Sequence, residues 1–427
     1  MEIYTILLQK GGVAVYQLLI IGGGAAGLAA AVSAGRAGLK NIAVLEKNQR
    51  PARKLMITGK GRCNVTNNCD NAALIKNTLR NGRFMYSAFN AFSAADTMNF
   101  FEECGVALKT ERGNRVFPQS DRSVSIVDAL VKEASRYSKI LHGRAIRAES
   151  VGGTFTVTCE DGTVCTARSL IIATGGISYP LTGSTGDGYA LAEMLGHTIV
   201  PPSPSLTALV CKEGFCTELA GLSLKNVTLS LYTAGKKKAA FSELGEMLFT
   251  HTGISGPLVL TASAYMKEPR DYTVKIDLKP ALSREQLDKR LLRDFAKLPN
   301  CDVRNALSSL LPKSLLPVVL RISGTDGHKK VNQISTAERT ALITALKEFP
   351  LTVIGFAAAE EAIVTRGGVQ VKEIDPSSME SKICDRLYFA GEVIDVDALT
   401  GGFNLQIAFS TGFLAGKSAA VLPKEEK

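Results

Sequence analysis

The strongest constraint on this chain is a strand–turn–helix signature that begins at Tyr16. Tyr16-Gln17-Leu18-Leu19-Ile20-Ile21 is an apolar run of strand character. Gly22-Gly23-Gly24-Ala25-Ala26-Gly27 has the G-x-G-x-x-G spacing, and Leu28-Ala29-Ala30-Ala31-Val32 is rich in helix formers. Together they make the Rossmann fingerprint of a dinucleotide site. Gly22 permits the tight turn, Gly24 lets the backbone approach a pyrophosphate, and Gly27 allows close packing of helix on strand. The helix N-terminus at Ala25 and Ala26 supplies free N–H groups and a positive dipole end. A second strand, Asn41-Ile42-Ala43-Val44-Leu45, ends on Glu46, nineteen positions after Gly27. An acid at that spacing accepts hydrogen bonds from an adenosine ribose. Lys47, beside it, joins the candidate nucleotide-binding residues.

The fingerprint alone does not choose between NAD and FAD; the far end of the chain does. Leu387-Tyr388-Phe389-Ala390-Gly391-Glu392 reads as a buried strand ending in Gly-Glu. Thr400-Gly401-Gly402-Phe403-Asn404-Leu405-Gln406 then opens a small-residue helix from Ala408 to Ala415. A second loop–helix start suits FAD, whose ribityl chain and flavin ring need a second anchor. Glu392 is placed on ribityl hydroxyls, and the helix beginning near Asn404 turns its positive end to the pyrimidine edge of the ring. A Gly-capped turn leading into a packing helix is the structural alternative for this segment.

With 427 residues the chain is expected to hold two or three domains. Its 45% hydrophobic content suits sizeable cores, and no apolar run approaches the roughly 20 residues of a membrane span. Ile3–Leu8 is short and lacks a basic lead, so it is not read as a signal peptide. Nine cysteines, odd in number and without a framework, point to free thiols and a cytoplasmic setting. The net charge of +10 is read as a solvated basic surface able to steer anionic ligands. Its strongest cluster, Lys236-Lys237-Lys238, has the look of a hairpin tip without interleaved aromatics, so nucleic acid is disfavoured as a partner. Met1–Ala14 are expected to be a non-native or disordered extension: Lys10-Gly11-Gly12 back-translates to a purine-rich ribosome-binding sequence, and Val15 to a GTG start.

The domains are expected at 15–200 (first part of an FAD-binding domain), 201–350 (an inserted α+β substrate or lid domain) and 351–427 (second part). Helices are expected around Ala95–Cys104 and Ser125–Tyr137, and a β-meander over Ala145–Ala167 with a turn at Asp161-Gly162. The strand Ser169–Ala173 runs into Thr174-Gly175-Gly176, returning backbone close to a nucleotide. Asp187 is placed as the N-cap of the next helix. Pro201-Pro202-Ser203-Pro204 marks the boundary to the insertion, which begins with short strands and turns helical from Ser283. There Leu287, Leu291, Leu292 and Phe295 share one helical face, and Leu315, Leu316, Val319 and Leu320 form another patch. Both are read as core.

Arg53–Asn67 carries four cations, two glycines and several amides, too many constrained residues for a simple linker. It is expected to wrap the pyrophosphate and flavin, with Lys54 and Arg62 offsetting phosphate charge and Asn64 bonding the ring. Here the chain resembles the BaiN/RdsA-type NAD(P)/FAD-dependent oxidoreductases, a family of two-dinucleotide-binding-domain flavoproteins, from Val15 onward. The resemblance rests on Gly22–Gly27 with Glu46, Arg53–Asn67, Arg115–Pro118, Ala173–Gly176, Leu248–Pro257, Val364–Val369, Met379–Lys382 and Gly391–Gln406. It implies a bound FAD, an inserted domain over the flavin, and a cofactor set that adds Leu55, Gly59, Gly61, Cys63, Ala145, Ala173, Thr174, Gly175, Gly402, Phe403 and Leu405. Members are described as reductases of steroid-like enones and, in another branch, as amine oxidases.

For the chemistry, the first expectation is reduction of a conjugated C=C bond in a small enone, steroid-like or of the oxo-bile-acid type, with NADH or NADPH as a transient donor. Amine oxidation and a tRNA-acting flavoprotein are the alternatives. His251, Arg366 and Tyr179 are the candidate catalytic residues, for carbonyl polarisation or proton delivery, in a pocket expected between the domains. A hydrogen-bonded histidine that orients its turn is the structural alternative for His251. Cys63 and Cys69 fall at C-x₅-C, longer than the C-x₄-C of disulfide reductases, and no metal-site spacing appears.

Overall fold

Four consecutive buried apolar residues, Leu18–Ile21, form the central strand of a five-stranded parallel sheet. An all-apolar run is what a strand covered on both faces requires. Its order is Leu387–Phe389, Leu170–Ile172, Leu18–Ile21, Ile42–Glu46, Ser138–His142, with Ile21 paired to Leu45 on one side and to Ile172 on the other. The computed structural model describes residues 15–421, so the expected extension at Met1–Ala14 lies outside the described residues. The chain forms two compact units, one from the segment up to Ser205 together with Ala362 onward, the other from Leu206–Glu361.

In the first unit the sheet is covered by the helices Ala25–Arg36 and Phe403–Ala419, from opposite ends of the chain. They approach at backbone distance. A side chain at Gly412 would fall 2.3 Å from the Ala26 carbonyl oxygen, and one at Gly416 would fall 2.2 Å from that of Ala30. A meander, Ala145–Val151, Thr154–Cys159 and Val164–Ala167, takes Val15–Tyr16 as a parallel fourth strand. The expected helices are present at Ala94–Glu103, closed by a capping box from Ser93 and Asp96, and at Ser123–Ala134.

Two local expectations are corrected here. Asp187 is not the N-cap of its helix: Gly186 caps Asp187–Met194 in a left-handed conformation, and the Asp187 carboxylate pairs with Lys47 and Arg144. Pro201–Pro204, expected to mark the boundary to the insertion, falls inside a strand of the first unit. It lies in the strand Ile199–Ser205, which pairs antiparallel with Val364–Val369. Prolines are tolerated there because this ladder has only two strands, leaving an edge that needs no N–H. The units therefore divide at Leu206 and Ala362 rather than at 201 and 351.

The second unit is built on a closed six-stranded barrel of Leu209–Cys211, Gly253–Ser255, Phe241–Phe249, Ser223–Thr233, Tyr272–Asp277 and Phe349–Phe356. Helices Arg284–Ala296, Leu316–Ser323 and Thr336–Lys347 are part of the same unit. Leu287, Leu291 and Phe295 are buried, but Leu292 is exposed. One position past Leu291, it turns about 100° from the core stripe. Residue 351, expected to reopen the FAD domain, sits inside a barrel strand.

A direct test of the helix–helix contact is Gly416→Val. With a carbonyl 2.2 Å from the new Cβ, overpacking should cost about 3 kcal/mol or more, and thermal unfolding should drop clearly. Gly214→Ala, at φ −62° with nothing within 4 Å, should leave the transition unchanged.

Candidate functional site

The fingerprint turn has the geometry its glycines foretell. Gly22 sits at φ +106°, and a Cβ there would lie 2.5 Å from the Ala173 carbonyl oxygen, so the strand ending at Ile172 crowds the turn from one side. A Cβ at Gly27 would meet the Gly22 oxygen at 1.9 Å, whereas at Gly24 it would meet nothing within 4 Å. The protein thus leaves open the one face from which a pyrophosphate must approach. Gly24 caps the helix without a side-chain bond, and the first turn holds no acid. Ala26 is buried beneath the turn. Glu46 is buried: one carboxylate oxygen accepts from Gly23 N at 2.8 Å and the other from Asn48 N at 2.7 Å. Lys47 turns away to Thr185 and Asp187.

The C-terminal anchor is assembled against this turn. Gly391, at φ +77°, lies so close to Ala26 that a Cβ would fall 2.8 Å from the alanine methyl. Glu392 accepts from Thr365 N at 2.7 Å and Ser178 Oγ at 3.0 Å, and pairs with Lys54 Nζ at 2.6 Å. Lys54 is therefore committed to a carboxylate rather than standing unpaired for phosphate. Gly402, at φ +100°, opens the Phe403–Ala419 helix with no side-chain cap and no acid in its first turn. Phe403 is buried and Leu405 half-buried. Asn404 does not face a ligand with its amide: it bonds Ala398 N and the carbonyls of Ala398 and Leu399, closing the loop before the helix.

Between these anchors the segment after Thr58 coils on itself. Gly59, Lys60, Gly61 and Cys63 all have positive φ, and two of them carry side chains that disfavour it. The strain falls on Lys60 and Cys63, which makes this loop a candidate for a functional role. Leu55 is buried in the core beneath it. Asn64 Oδ1 is buried without any hydrogen-bond partner, an orphaned acceptor that a ring N–H would satisfy. Thr174 Oγ1, beside the left-handed Gly175, is a second orphan. Arg62 departs from its expected role: it bonds Glu111 and Asp121 and stacks 4.1 Å over Phe117. Ala145 is buried in the meander, two residues beyond Gly143, whose N–H bonds the Glu46 carbonyl. Two bare helix ends, an open glycine and an orphaned amide fit an extended dinucleotide carrying a flavin.

The family described as the HI0933-like protein Rossmann domain matches residues 16–418. The chain belongs to that family. It is 33% identical to a 3-dehydro-bile acid delta(4,6)-reductase of Clostridium scindens over 95% of this chain and 99% of that protein. It is also 30% identical to a ribosomal RNA dihydrouridine synthase of Escherichia coli, over 93% and 96% of the two chains. The open conformation of a flavocytochrome c3 fumarate reductase shares the fold at a TM-score of 0.50 and 16% identity, covering 98% of this chain and 80% of that one. The protein is an FAD-dependent oxidoreductase of the HI0933-like family, and no helix among its described residues is long and apolar enough to cross a membrane.

Within this HI0933-like chain the three catalytic candidates occupy different settings. Tyr179 is half-buried and left-handed, next to the Ser178 that bonds Glu392. Arg366 is buried on the strand Val364–Val369, its Nε 2.6 Å from Ser203 Oγ. His251 belongs to the other unit. It is exposed on the turn before Gly253, and its carbonyl accepts from Thr217 Oγ1. Sequence reasoning missed Asp395 and Asp397. Burial pushes both carboxyls above their ordinary range, against the lowering effect of Arg80. Two acids in a run otherwise apolar from Val393 to Leu399 were the available signal.

Cys63 and Cys69 are both free. Burial pushes the Cys63 thiol up to about 12, and burial with the Asp70 charge pushes Cys69 up to about 11. Both thiols should therefore stay protonated and resist iodoacetamide in the native holoenzyme at about pH 7.5, with labelling rising only as pH climbs toward those values. Rapid native alkylation at neutral pH, read by mass spectrometry, would contradict this.

For the nucleotide turn, Gly24→Val places a branched side chain in the open face, where its Cβ meets no protein atom within 4 Å. The variant should be folded and colourless. Retention of normal flavin content would show that FAD does not approach the chain at this glycine.

Proposed function

We propose that this protein reduces a carbon–carbon double bond conjugated to a carbonyl, using NADH or NADPH as the transient donor, with a small steroid-like enone as substrate. The observation that carries the reading is the placement of Arg366. Thr365 bonds Glu392 while the next residue presents a buried guanidinium on the same strand, beside the segment that anchors the cofactor. The relatives' names support the reaction class. A delta(4,6)-reductase of a 3-dehydro bile acid and a synthase of dihydrouridine both act on C=C bonds in conjugation with C=O.

Bound FAD supplies the hydride chemistry. What remains for the protein is to bind the enone, stabilise charge on its oxygen and deliver one proton. Addition of hydride at the β-carbon moves negative charge onto the carbonyl oxygen, and a fixed guanidinium stabilises that charge more than it stabilises the neutral ground state. Arg366 is proposed for this role: burial strengthens its field and the bond to Ser203 fixes its orientation. The proton then goes to the α-carbon, and Tyr179 is the proposed donor within this unit. His251 is a second proposed donor. In sum, the C=C bond takes up a hydride and a proton while NAD(P)H becomes NAD(P)⁺.

Anaerobic mixing tests the reading. NAD(P)H should bleach the flavin, and a 3-oxo-Δ4 steroid should return the colour. Arg366→Ala and His251→Ala should each keep FAD and its reduction by NAD(P)H but lose about 10²–10³ in the recolouring step. Bleaching by an amine alone would replace the reductase with an oxidase. Recolouring by uridine-containing ribosomal RNA but by no free enone would keep the reaction and change the substrate.

A further inference from the structure

Arg80 lies in a segment whose backbone is tied at several points to the loop between the two C-terminal cofactor anchors. Leu79 N donates to the Asp397 carbonyl at 3.0 Å, Leu399 N to the Asn77 carbonyl at 3.0 Å, and Thr78 bridges Ala398. Asn81, left-handed at φ +54°, sends its amide to the Asp395 carbonyl at 2.6 Å. The segment 77–81 is thus fixed against residues 395–399, which run from just after Glu392 to just before Gly402.

The side chains show what that fixation holds. The Arg80 guanidinium lies 3.8 Å from Asp395 Oδ1 and 3.5 Å from Asp397 Oδ1. These are charge contacts without hydrogen-bond geometry: Asp397 Oδ1 is buried with no hydrogen-bond partner, and the Arg80 side chain bonds no described residue. The acids are held from behind. Ser205 Oγ donates to Asp397 at 2.7 Å, Gly367 N to Asp395 at 3.1 Å, and Asn81 Nδ2 to Asp395 at 3.1 Å. Their side chains are 10% and 3% exposed, while that of Arg80 is 34% exposed. A buried acid pair that attracts an arginine without consuming its five donors leaves a planar, directional cation that is partly exposed.

We propose that Arg80 is a second ligand for the substrate oxygen, with Asp395 and Asp397 as positioning residues that aim it. The oxygen's identity as an enone carbonyl rests on the reductase reading above; the cation's ability to bind an oxyanion does not.

The test uses the FAD-loaded protein and 4-nitrophenolate, a coloured phenolate that carries the charge an enolate oxygen develops. Difference spectra should show saturable binding to the wild-type protein. Arg80→Ala should weaken it by about tenfold to a hundredfold, the range for loss of a charged hydrogen bond. Arg80→Lys should fall between, because the ammonium keeps charge but loses the planar fork. Added guanidinium ion should restore binding to Arg80→Ala, a rescue that a structural role would not show. Flavin content and bleaching by NAD(P)H should be unaffected in both variants. An unchanged affinity in Arg80→Ala, no phenolate binding by the wild type, or loss of FAD from both variants would each overturn the proposal. If NAD(P)H fails to bleach the wild-type flavin, the reductase reading falls while the phenolate titration still decides the role of Arg80.

Discussion

The cofactor site depends on one contact between the two ends of the chain: the Phe403–Ala419 helix lies on the Ala25–Arg36 helix at backbone distance, because Gly412 and Gly416 face Ala26 and Ala30. That approach brings Gly391 against Ala26, and so brings Glu392 beside the fingerprint turn. Two helices whose N-termini lie some 380 residues apart in sequence are thereby packed together. The closeness cannot be recovered by repacking, since the atoms in the way are carbonyl oxygens rather than flexible side chains. The helix is selected for smallness on one stripe, which is why Ala408, Thr411, Gly412, Ala415 and Gly416 stand where larger apolar residues would bury more surface.

Buried charge is the second organising feature. Glu46, Asp395, Asp397 and Arg366 are buried and Glu392 is half-buried, and each makes at least one specific hydrogen bond. Glu46 is held mainly by backbone N–H groups, whereas Glu392 takes one backbone N–H, the Ser178 hydroxyl and the Lys54 ammonium. Asp395 and Asp397 accept from Gly367, Asn81 and Ser205, but the cation facing them, Arg80, makes no side-chain hydrogen bond with either. A fold under selection for stability alone would fill such a position with apolar residues. Retention of the incomplete pair is an argument for function.

Much of the cofactor-binding unit was legible because its signals are local. Gly22, Gly24 and Gly27 act through the turn that contains them, and the strand–glycine–helix order sets their geometry before any tertiary contact forms. The loop at Thr58–Asn64 was recognisable by composition, although its four left-handed residues were not. What escaped reading depends on partners far away in sequence. Pro201–Pro204 looked like a domain boundary because nothing local reveals that Val364–Val369 pairs with it. Asn404 looked like a ligand because its loop-closing bonds to Ala398 and Leu399 cannot be seen in a motif. Barrel closure in Leu206–Glu361 joins Leu209–Cys211 to Phe349–Phe356 across more than a hundred residues, and no periodicity carries that information. Arg80 was invisible for the same reason: its meaning is given by Asp395 and Asp397.

The ladder formed by Ile199–Ser205 and Val364–Val369 ties the insertion to the chemistry. Ser205 pairs with Val364, so the chain leaves and re-enters the cofactor-binding unit at adjacent backbone positions. A large insertion there needs no rearrangement of the five-stranded sheet, which explains how one unit can interrupt another without disturbing the fingerprint. The same two strands hold the groups that shape the site. Ser203 fixes Arg366, Ser205 bonds Asp397, Thr365 bonds Glu392, and Gly367 bonds Asp395. Both closing strands thus contribute to one hydrogen-bond network, and a displacement of either would be felt by the arginine and the acid pair together. The proline-rich sequence suits that duty: Pro201, Pro202 and Pro204 restrict φ on the strand that carries Ser203 and Ser205, so these hydroxyls hold their positions with less entropy left to lose.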